Sequence, residues 1–461
     1  MRIKSLLLGF SLSLASFVAS ADLDTVDQWL NEGKYEKAMV ELKSLARFGN
    51  VEAQFKIAQM HEQGLGTEAN MNKALAWYML AHENKHPDAR AKYLELRANV
   101  PSRREVKSLL KVLNQMYGKG AIESSLFPLA KSDEAISHEA RKPTKTVNPD
   151  YSTIKNVSQQ GAWSIVRFDI NENGEVENPD VLSSFPKGLI DQRVLSALKQ
   201  WRYKTEQNVY GEPIRISGVV EKFTLQPKDG TAKAKVKTAR NKHIASLKRK
   251  AKKGNDAARF EYALLQEFQI ADRRNMEEAV KNYLTSAKAG HTNSQYRIAQ
   301  CLNHGDICEP DRNKAYTWLT YAANKLHQRA AYELAMELLN IENIEYNPKE
   351  AARLLKDSAV QGYMPAITQY AQLLVMSNDP HIRNPKKAIQ YAEQARTLDK
   401  NSPILLSTLG IAYSEIGMAD KGSVFLNQAV TEAASRGWST DNYLDLIEDY
   451  KEASMLANDA P

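Results

Sequence analysis

Residues 161–174 read Gly161-Ala162-Trp163-Ser164-Ile165-Val166-Arg167-Phe168-Asp169-Ile170-Asn171-Glu172-Asn173-Gly174, and this stretch decides the fold. Ser164, Val166, Phe168 and Ile170 alternate with Trp163, Ile165, Arg167 and Asp169. A period of two marks a strand; the first set is mostly apolar and the second mixed, which predicts one well-buried face and one partly buried. Asn173-Gly174 tolerates the positive φ of a tight turn and predicts a hairpin into the run that ends Val181-Leu182-Ser183-Ser184. Ile190, Val194, Ala197, Leu198 and Trp201 then fall at helical spacing, a stripe suited to lie on the hairpin. Ile214, Ile216, Val219, Val220, Phe223 and Leu225 give a third strand. Gly218 within it predicts a bulge or a close backbone approach. The expected unit is ββαβ, a three-stranded antiparallel sheet with one helix and at least one free edge.

Working outward, this order of residues resembles the C-terminal domain of the TonB energy-transducer family, over about Asn148 to Gln226. The matching parts are Gln160-Gly161 before the first strand, Phe168-Asp169-Ile170 followed by a polar turn with Gly174, and Val181-Leu182-Ser183-Ser184. They continue with Ala197-Leu198 leading to Trp201-Arg202-Tyr203, and Gly211-Glu212-Pro213-Ile214 before the third strand. Upstream, Pro149 and Tyr151 keep a Pro-x-Tyr-Pro-like segment that here ends in Ser152. The resemblance implies that Tyr151, Gly161, Phe168, Gly174, Trp201, Arg202 and Tyr203 define the domain. It also implies recognition of an extended segment, the TonB box, of an outer-membrane receptor. The physical mode is strand addition, in which backbone hydrogen bonds give affinity and alternate side chains give selectivity. The third strand, with Ile214, Ile216, Gly218, Val220, Phe223 and Leu225, is the expected edge. Trp201, Arg202 and Tyr203 are expected to fix the helix to the sheet.

The chain opens with Arg2 and Lys4, an apolar run from Leu6 to Val18, and Ala19-Ser20-Ala21, the pattern of a signal peptide cleaved before Asp22. The run is shorter than the roughly 20 residues of a membrane span. With the family resemblance, export means the periplasm; the alternative is a retained leader anchoring the chain at the inner membrane. Family members couple through an N-terminal membrane helix to a proton-driven motor. A cleavable leader without His favours an accessory role in receptor-dependent uptake, with motor proteins as partners if the leader is retained.

The formal net charge is +7, and Lys228 to Lys253 holds eleven Lys or Arg against Asp229 alone. That run reads as a solvated basic linker, or as a contact surface for anionic lipid or an acidic partner. Nucleic acid is not expected in the periplasm. Cys301 and Cys308 are the two cysteines. In an oxidising compartment a close pair favours a disulfide over two free thiols. Two cysteines and His304 do not complete a zinc site.

On both sides of the sheet the chain is helical and repetitive. Gly49-Asn50-Val51-Glu52-Ala53 opens a helix, Gln63-Gly64-Leu65-Gly66 breaks it, and Asn72-Lys73-Ala74 starts a second with Trp77 and Tyr78. Gly254, Gly290, Leu326 and Gly362 recur every thirty-six residues, as do Ala279, Ala315 and Ala351, with Ala388 one residue late. The period marks a helix-pair solenoid. Both blocks resemble Sel-one-like repeats, and Ser402 to Gly437 a tetratricopeptide repeat. His82-Glu83-Asn84-Lys85-His86 fits the zinc-protease motif, but Pro87 disfavours helix at His86, so no metal site is expected.

The expected fold is mainly α: two helix-pair solenoid blocks flanking a small α+β domain. The boundaries are a leader at 1–21, N-terminal repeats with a cap at 22–141, a spacer at 142–147, the sheet domain at 148–227, a basic linker at 228–245 and the C-terminal solenoid at 246–461. Nothing pairs a nucleophile with a base, pairs catalytic carboxylates or cradles phosphate. The reading is therefore a non-enzymatic binding protein without cofactor or metal. Stacked helix pairs offer concave surfaces to envelope proteins. A second reading is a periplasmic scaffold whose central domain only packs or dimerises.

Overall fold

The computed structural model describes residues 23–99, 101–132, 142–208, 213–271 and 275–458. The expected leader at 1–21, and Gly211-Glu212 of the third-strand approach, lie outside them. The first block is seven helices: α1 (Leu23–Asn31), α2 (Tyr35–Arg47), α3 (Val51–Gln63), α4 (Met71–Glu83), α5 (Ala89–Leu96), α6 (Arg103–Tyr117) and α7 (Lys119–Leu126). The sheet domain holds β1 (Ala162–Ile170), β2 (Val176–Phe185), α8 (Asp191–Leu198), two short strands β3 (Glu206–Gln207) and β4 (Pro213–Ile214), and β5 (Ile216–Leu225).

The second block begins with α9 (Gly230–Lys252). Five helix pairs follow: α10 (Asp256–Glu267) with α11 (Met276–Lys288), α12 (Thr292–His304) with α13 (Arg312–Asn324), α14 (Gln328–Leu339) with α15 (Pro348–Val360), α16 (Met364–Met376) with α17 (Pro385–Ala395), and α18 (Pro403–Glu415) with α19 (Ala419–Ser435). A final helix, α20 (Asp441–Asn458), completes it.

The repeat is built from two devices. Side chains cap helix starts at matching positions: Asn50, Asn255, His291 and His327 on first helices, and Asn70, Asn275, Asp311, Asn347 and Asn384 on second helices each accept a backbone N–H. Small residues lie where paired helices cross, and Ala279, Ala315, Ala351 and Ala388 are all fully buried. The zinc-protease lookalike is broken in space as the proline implies. Helix α4 stops at Glu83, Lys85 is left-handed (φ 77°), and His86 stacks on Phe55 while its Nε2 meets Glu52 at 2.9 Å.

The blocks meet directly. Phe48 packs on Trp318 and Tyr321, with ring centroids 4.4 and 3.6 Å away, and the Trp318 indole N–H donates to the Leu126 carbonyl at 2.8 Å. Lys325 pairs with Glu41. Cys301 and Cys308 form a disulfide whose loop pairs with the chain leaving α7: Lys131 N–H donates to Ile307 at 3.0 Å and Glu309 N–H to Leu129 at 2.8 Å. The sheet domain is thus inserted between two blocks that meet through Phe48, Ile122 and Leu126, which join the core of the second block, while the rest of the first block keeps its own core.

Strand order is β2-β1-β5, all antiparallel, so β1 is central and β5 is an edge. The face of β1 expected to be only partly buried is fully covered: all nine residues of the strand are buried. Val166, Phe168 and Ile170 face α8, packing with Ile190, Val194 and Leu198. Trp163 and Ile165, on the other face, belong to the core of the solenoid. The solenoid curls round the sheet and holds it with the face that such repeats ordinarily leave open.

Two connecting segments take a definite form. The segment at 142–147 is tied to the sheet domain: Thr144 N–H donates to the Arg202 carbonyl at 2.7 Å and Arg202 N–H to that of Lys145 at 3.0 Å. The basic linker is one continuous helix, α9, started by the Asp229 carboxylate, which accepts from Thr231 and Ala232 N–H. Its alanines favour helix, and one face finds a surface to cover.

Candidate functional site: a cleft along the sheet edge

The seam between sheet and solenoid is polar at its centre. Asp169, fully buried, accepts from Gly218 N–H (3.0 Å), Arg329 Nε (3.1 Å), the Asn178 amide (3.0 Å) and the Tyr363 hydroxyl (2.8 Å). Arg329 also reaches Asp180 at 2.9 Å, which takes a bidentate contact from Arg167 at 3.2 and 2.8 Å. A buried carboxylate survives only when charge and hydrogen bonds replace its water, and four donors do so here. The anions beside Arg329 hold its guanidinium pKa above the usual value although burial opposes this, while burial and Asp169 raise that of the Tyr363 phenol.

Gly218 answers both readings of its sequence position. Ser217 and Gly218 bulge opposite Asp169, with Gly218 at φ +73°. A Cβ there would lie 1.9 Å from the Gln300 amide nitrogen on α12, which instead approaches the Gly218 carbonyl at 3.5 Å.

The expected edge residues divide. Phe223 and Leu225 are buried in the core beneath α8, Trp201 packs on Phe223 at 5.5 Å, and Val220 packs toward the solenoid. Ile214 is 37% exposed and, with Ile216, lines a cleft of about 860 Å³. Five consecutive residues, Pro213 to Ser217, line it. Pro213 and Ile214 form β4, paired with β3 (Glu206 opposite Ile214, Gln207 opposite Pro213), and Ile216 and Ser217 begin the edge strand β5, so the cleft follows the chain from one strand into the other. The opposite wall is the concave side of α14, α16 and α18, with Met336, Gln372 and Thr408, and α20 adds Tyr443, Asp445 and Asp449.

The cleft is acid-rich. Glu206, Glu333, Glu337, Asp445 and Asp449 line it, and its Arg215 is engaged by Glu172 at 3.0 Å and Glu177 at 2.6 Å. Burial pushes the Glu333 carboxyl up to about 7, while the Tyr296 hydroxyl donates to it at 2.5 Å.

The remaining expected residues serve the frame. Trp201 donates from its indole N–H to the Val147 carbonyl at 2.9 Å, Arg202 pairs with Glu175 at 3.0 Å, and Tyr203 is buried with its N–H on the Gly174 carbonyl at 2.8 Å. A Cβ on Gly174 would strike the Tyr203 carbonyl at 2.2 Å, and one on Gly161 would strike Val236 of α9 at 2.3 Å. Tyr151 packs at the edge of the sheet core with Phe168 at its centre. Sequence reasoning missed Asp169, Arg329, Tyr363 and Gln300. The available signal was Arg167 and Asp169 sharing a strand face with Trp163 and Ile165, a mixture that needs a polar cover.

These features define a class: a helical-repeat protein that encloses a small sheet domain and leaves a cleft along its edge. Residues 147–225 match the family described as Gram-negative bacterial TonB protein C-terminal, and residues 51–84, 257–291, 292–325 and 366–399 match the Sel1 repeat. The chain therefore carries a TonB C-terminal domain together with a Sel1-repeat protein-interaction region.

It is 28% identical over 85 residues to protein TonB of Klebsiella pneumoniae, covering 16% of this chain and 35% of that protein. It is 27% identical over 140 residues to an uncharacterised protein of Neisseria meningitidis, covering 30% and 28%. The matched part thus spans about a third of the curated relatives. Among solved structures it is similar to a Sel1 repeat protein from Oxalobacter formigenes (19% identity, 44% of this chain and 85% of that one, TM-score 0.34). It is also similar to a protective antigen of uropathogenic Escherichia coli displaying an SLR fold (13% identity, 88% and 69%, TM-score 0.32). No helix of the described residues is long and apolar enough to cross a membrane.

Proposed function

We propose that this protein binds an extended peptide, the TonB box of an outer-membrane receptor, by strand addition along Pro213–Ser217, in support of TonB-dependent transport. The observation that carries the reading is the cleft lined by Pro213 to Ser217, where β4, paired with β3, runs into the first residues of the edge strand β5. The edge strand β5, from Ile216 on, offers backbone donors and acceptors, and the facing helices offer side-chain pockets. The place of action is the periplasm, the reaction is binding rather than catalysis, and the convex repeat surfaces are left to recruit envelope proteins or the motor.

The test is calorimetry of a synthetic TonB-box peptide with the full chain, the Ile214→Glu variant and the Val220→Pro variant. The reading expects saturable binding to the native chain and at least tenfold weaker binding to both variants. Because Val220 packs toward the solenoid, thermal melting controls for unfolding, and Ile214→Glu, at an exposed position, keeps the test independent of it.

The second reading, a scaffold whose sheet domain is a packing module, is favoured by one observation: Trp163 and Ile165 of β1 are part of the solenoid core. Absence of peptide binding to a fully folded native chain supports it.

A further inference from the structure

Helix α9 carries Lys228, Lys235, Lys242 and Arg249 at intervals of seven residues, beginning just before its first turn. Seven residues are nearly two helical turns, so these cations form an almost straight row about 31 Å long. All four are exposed, and Lys237, Lys248, Lys252 and Lys253 are exposed beside them. After Asp229 the helix contains no acid.

The opposite face is fully engaged. Val236 meets Gly161, His243 lies against Trp163 and Phe185 (5.7 and 4.5 Å between ring centroids), and Leu247 and Ala251 are buried. The row is therefore held rigidly outward. Its exposed face holds Ala234, Thr238 and Ala245 between the cations, with Asn241 half-buried beside them, no aromatic to stack on a base and no large apolar group to insert.

We infer that α9 is a docking surface for a planar anionic lipid surface, against which the protein lies by electrostatic attraction alone. A straight, rigid, pocketless array of cations fits a plane of negative headgroups better than it fits a compact acidic partner. Juxtaposed cations attract such surfaces individually and fade within a Debye length, so binding is strongly salt-dependent. This inference is independent of the peptide cleft.

The test is co-sedimentation of the full chain with vesicles of phosphatidylcholine alone and with about one third phosphatidylglycerol, at low and high salt. The triple variant Lys235→Glu, Lys242→Glu, Arg249→Glu is run in parallel, with thermal melting as the folding control. The expected result is binding to anionic vesicles only, lost at high salt and weakened roughly tenfold or more in the variant. Equal binding of native and variant chains, or salt-insensitive binding to neutral vesicles as an apolar leader would give, overturns the inference. So does retention on double-stranded DNA or an acidic protein without vesicle binding.

Discussion

Asp169 and Arg329, 160 residues apart, form a buried ion pair with Nε 3.1 Å from Oδ1 that fastens the central strand to the concave side of the repeats. Removing one partner strands the other's charge away from water, at a cost of about 3–5 kcal/mol. Arg329→Met is expected to lower stability by that order in denaturant melts. Asp169→Asn is expected to cost less, since its one amide oxygen still accepts from Gly218 N–H and Arg329 Nε, which share one oxygen of Asp169, and Arg329 keeps Asp180. Because Trp163 and Ile165 are held by the solenoid, residues 142–227 expressed alone are expected to show exposed apolar surface by dye binding.

Gly218 cannot take a side chain without two penalties. Gly218→Ala forces an L-residue to φ +73° and drives its Cβ to 1.9 Å from the Gln300 amide. Left-handed strain alone costs about 1 kcal/mol, so a total of about 1–3 kcal/mol is expected. Adding Gln300→Ala removes the closest clash but leaves the Tyr296 hydroxyl 2.8 Å from that Cβ and the backbone strain, and is expected to recover only part of the loss in melting temperature.

Much of this organisation is legible in the sequence. The alternation around Phe168, the Asn173-Gly174 turn, the thirty-six-residue spacing of Ala279, Ala315 and Ala351, and the closeness of Cys301 to Cys308 all encode local geometry, which a sequence displays directly. The embrace of sheet by solenoid was not legible. It depends on pairs such as Asp169 with Arg329 or Phe48 with Trp318, whose partners are set by the accumulated curvature of many repeats. For the same reason Phe223 and Leu225 read as edge residues, although their side chains turn into the core. The edge itself was readable, but not that the cleft lies along Pro213 to Ser217 alone, ending where Gln300 approaches Gly218.

Glu333 makes stability depend on pH in a defined direction. Its carboxyl sits at about 7 in the folded chain, raised first by burial from a usual value of 4.5. The folded state therefore binds more protons, and the contribution is fully present below about 4.5 and lost as pH rises through 7. The ceiling is about 3 kcal/mol. Glu333→Gln is expected to remove this slope. Subtracting its unfolding free energies from those of the native chain between pH 4.5 and 8 checks the sign.

The disulfide closes a loop with a sequence separation of seven between Cys301 and Cys308, and that loop pairs with Leu129 and Lys131. A loop of this size is worth about 2 kcal/mol by chain entropy. Cys301→Ser with Cys308→Ser is expected to lower stability by that amount. Amide exchange at Lys131 and Glu309 is expected to rise ahead of the sheet core.

The acid-rich cleft is expected to prefer peptides that carry Lys or Arg beside the strand-adding segment. Replacing those with Glu should weaken binding several-fold, and Asp445→Asn with Asp449→Asn should narrow the difference. Titrations of the two peptides at matched ionic strength check this.

The most direct measurement of the central claim is hydrogen exchange of the full chain with and without a saturating TonB-box peptide. Strand addition predicts new protection at the amides of Ile214 to Ser217 and along the facing helices α14 and α16, with the convex helices unchanged. No change at Ile214 to Ser217 on saturation, or protection confined to the outer helices, would contradict the account.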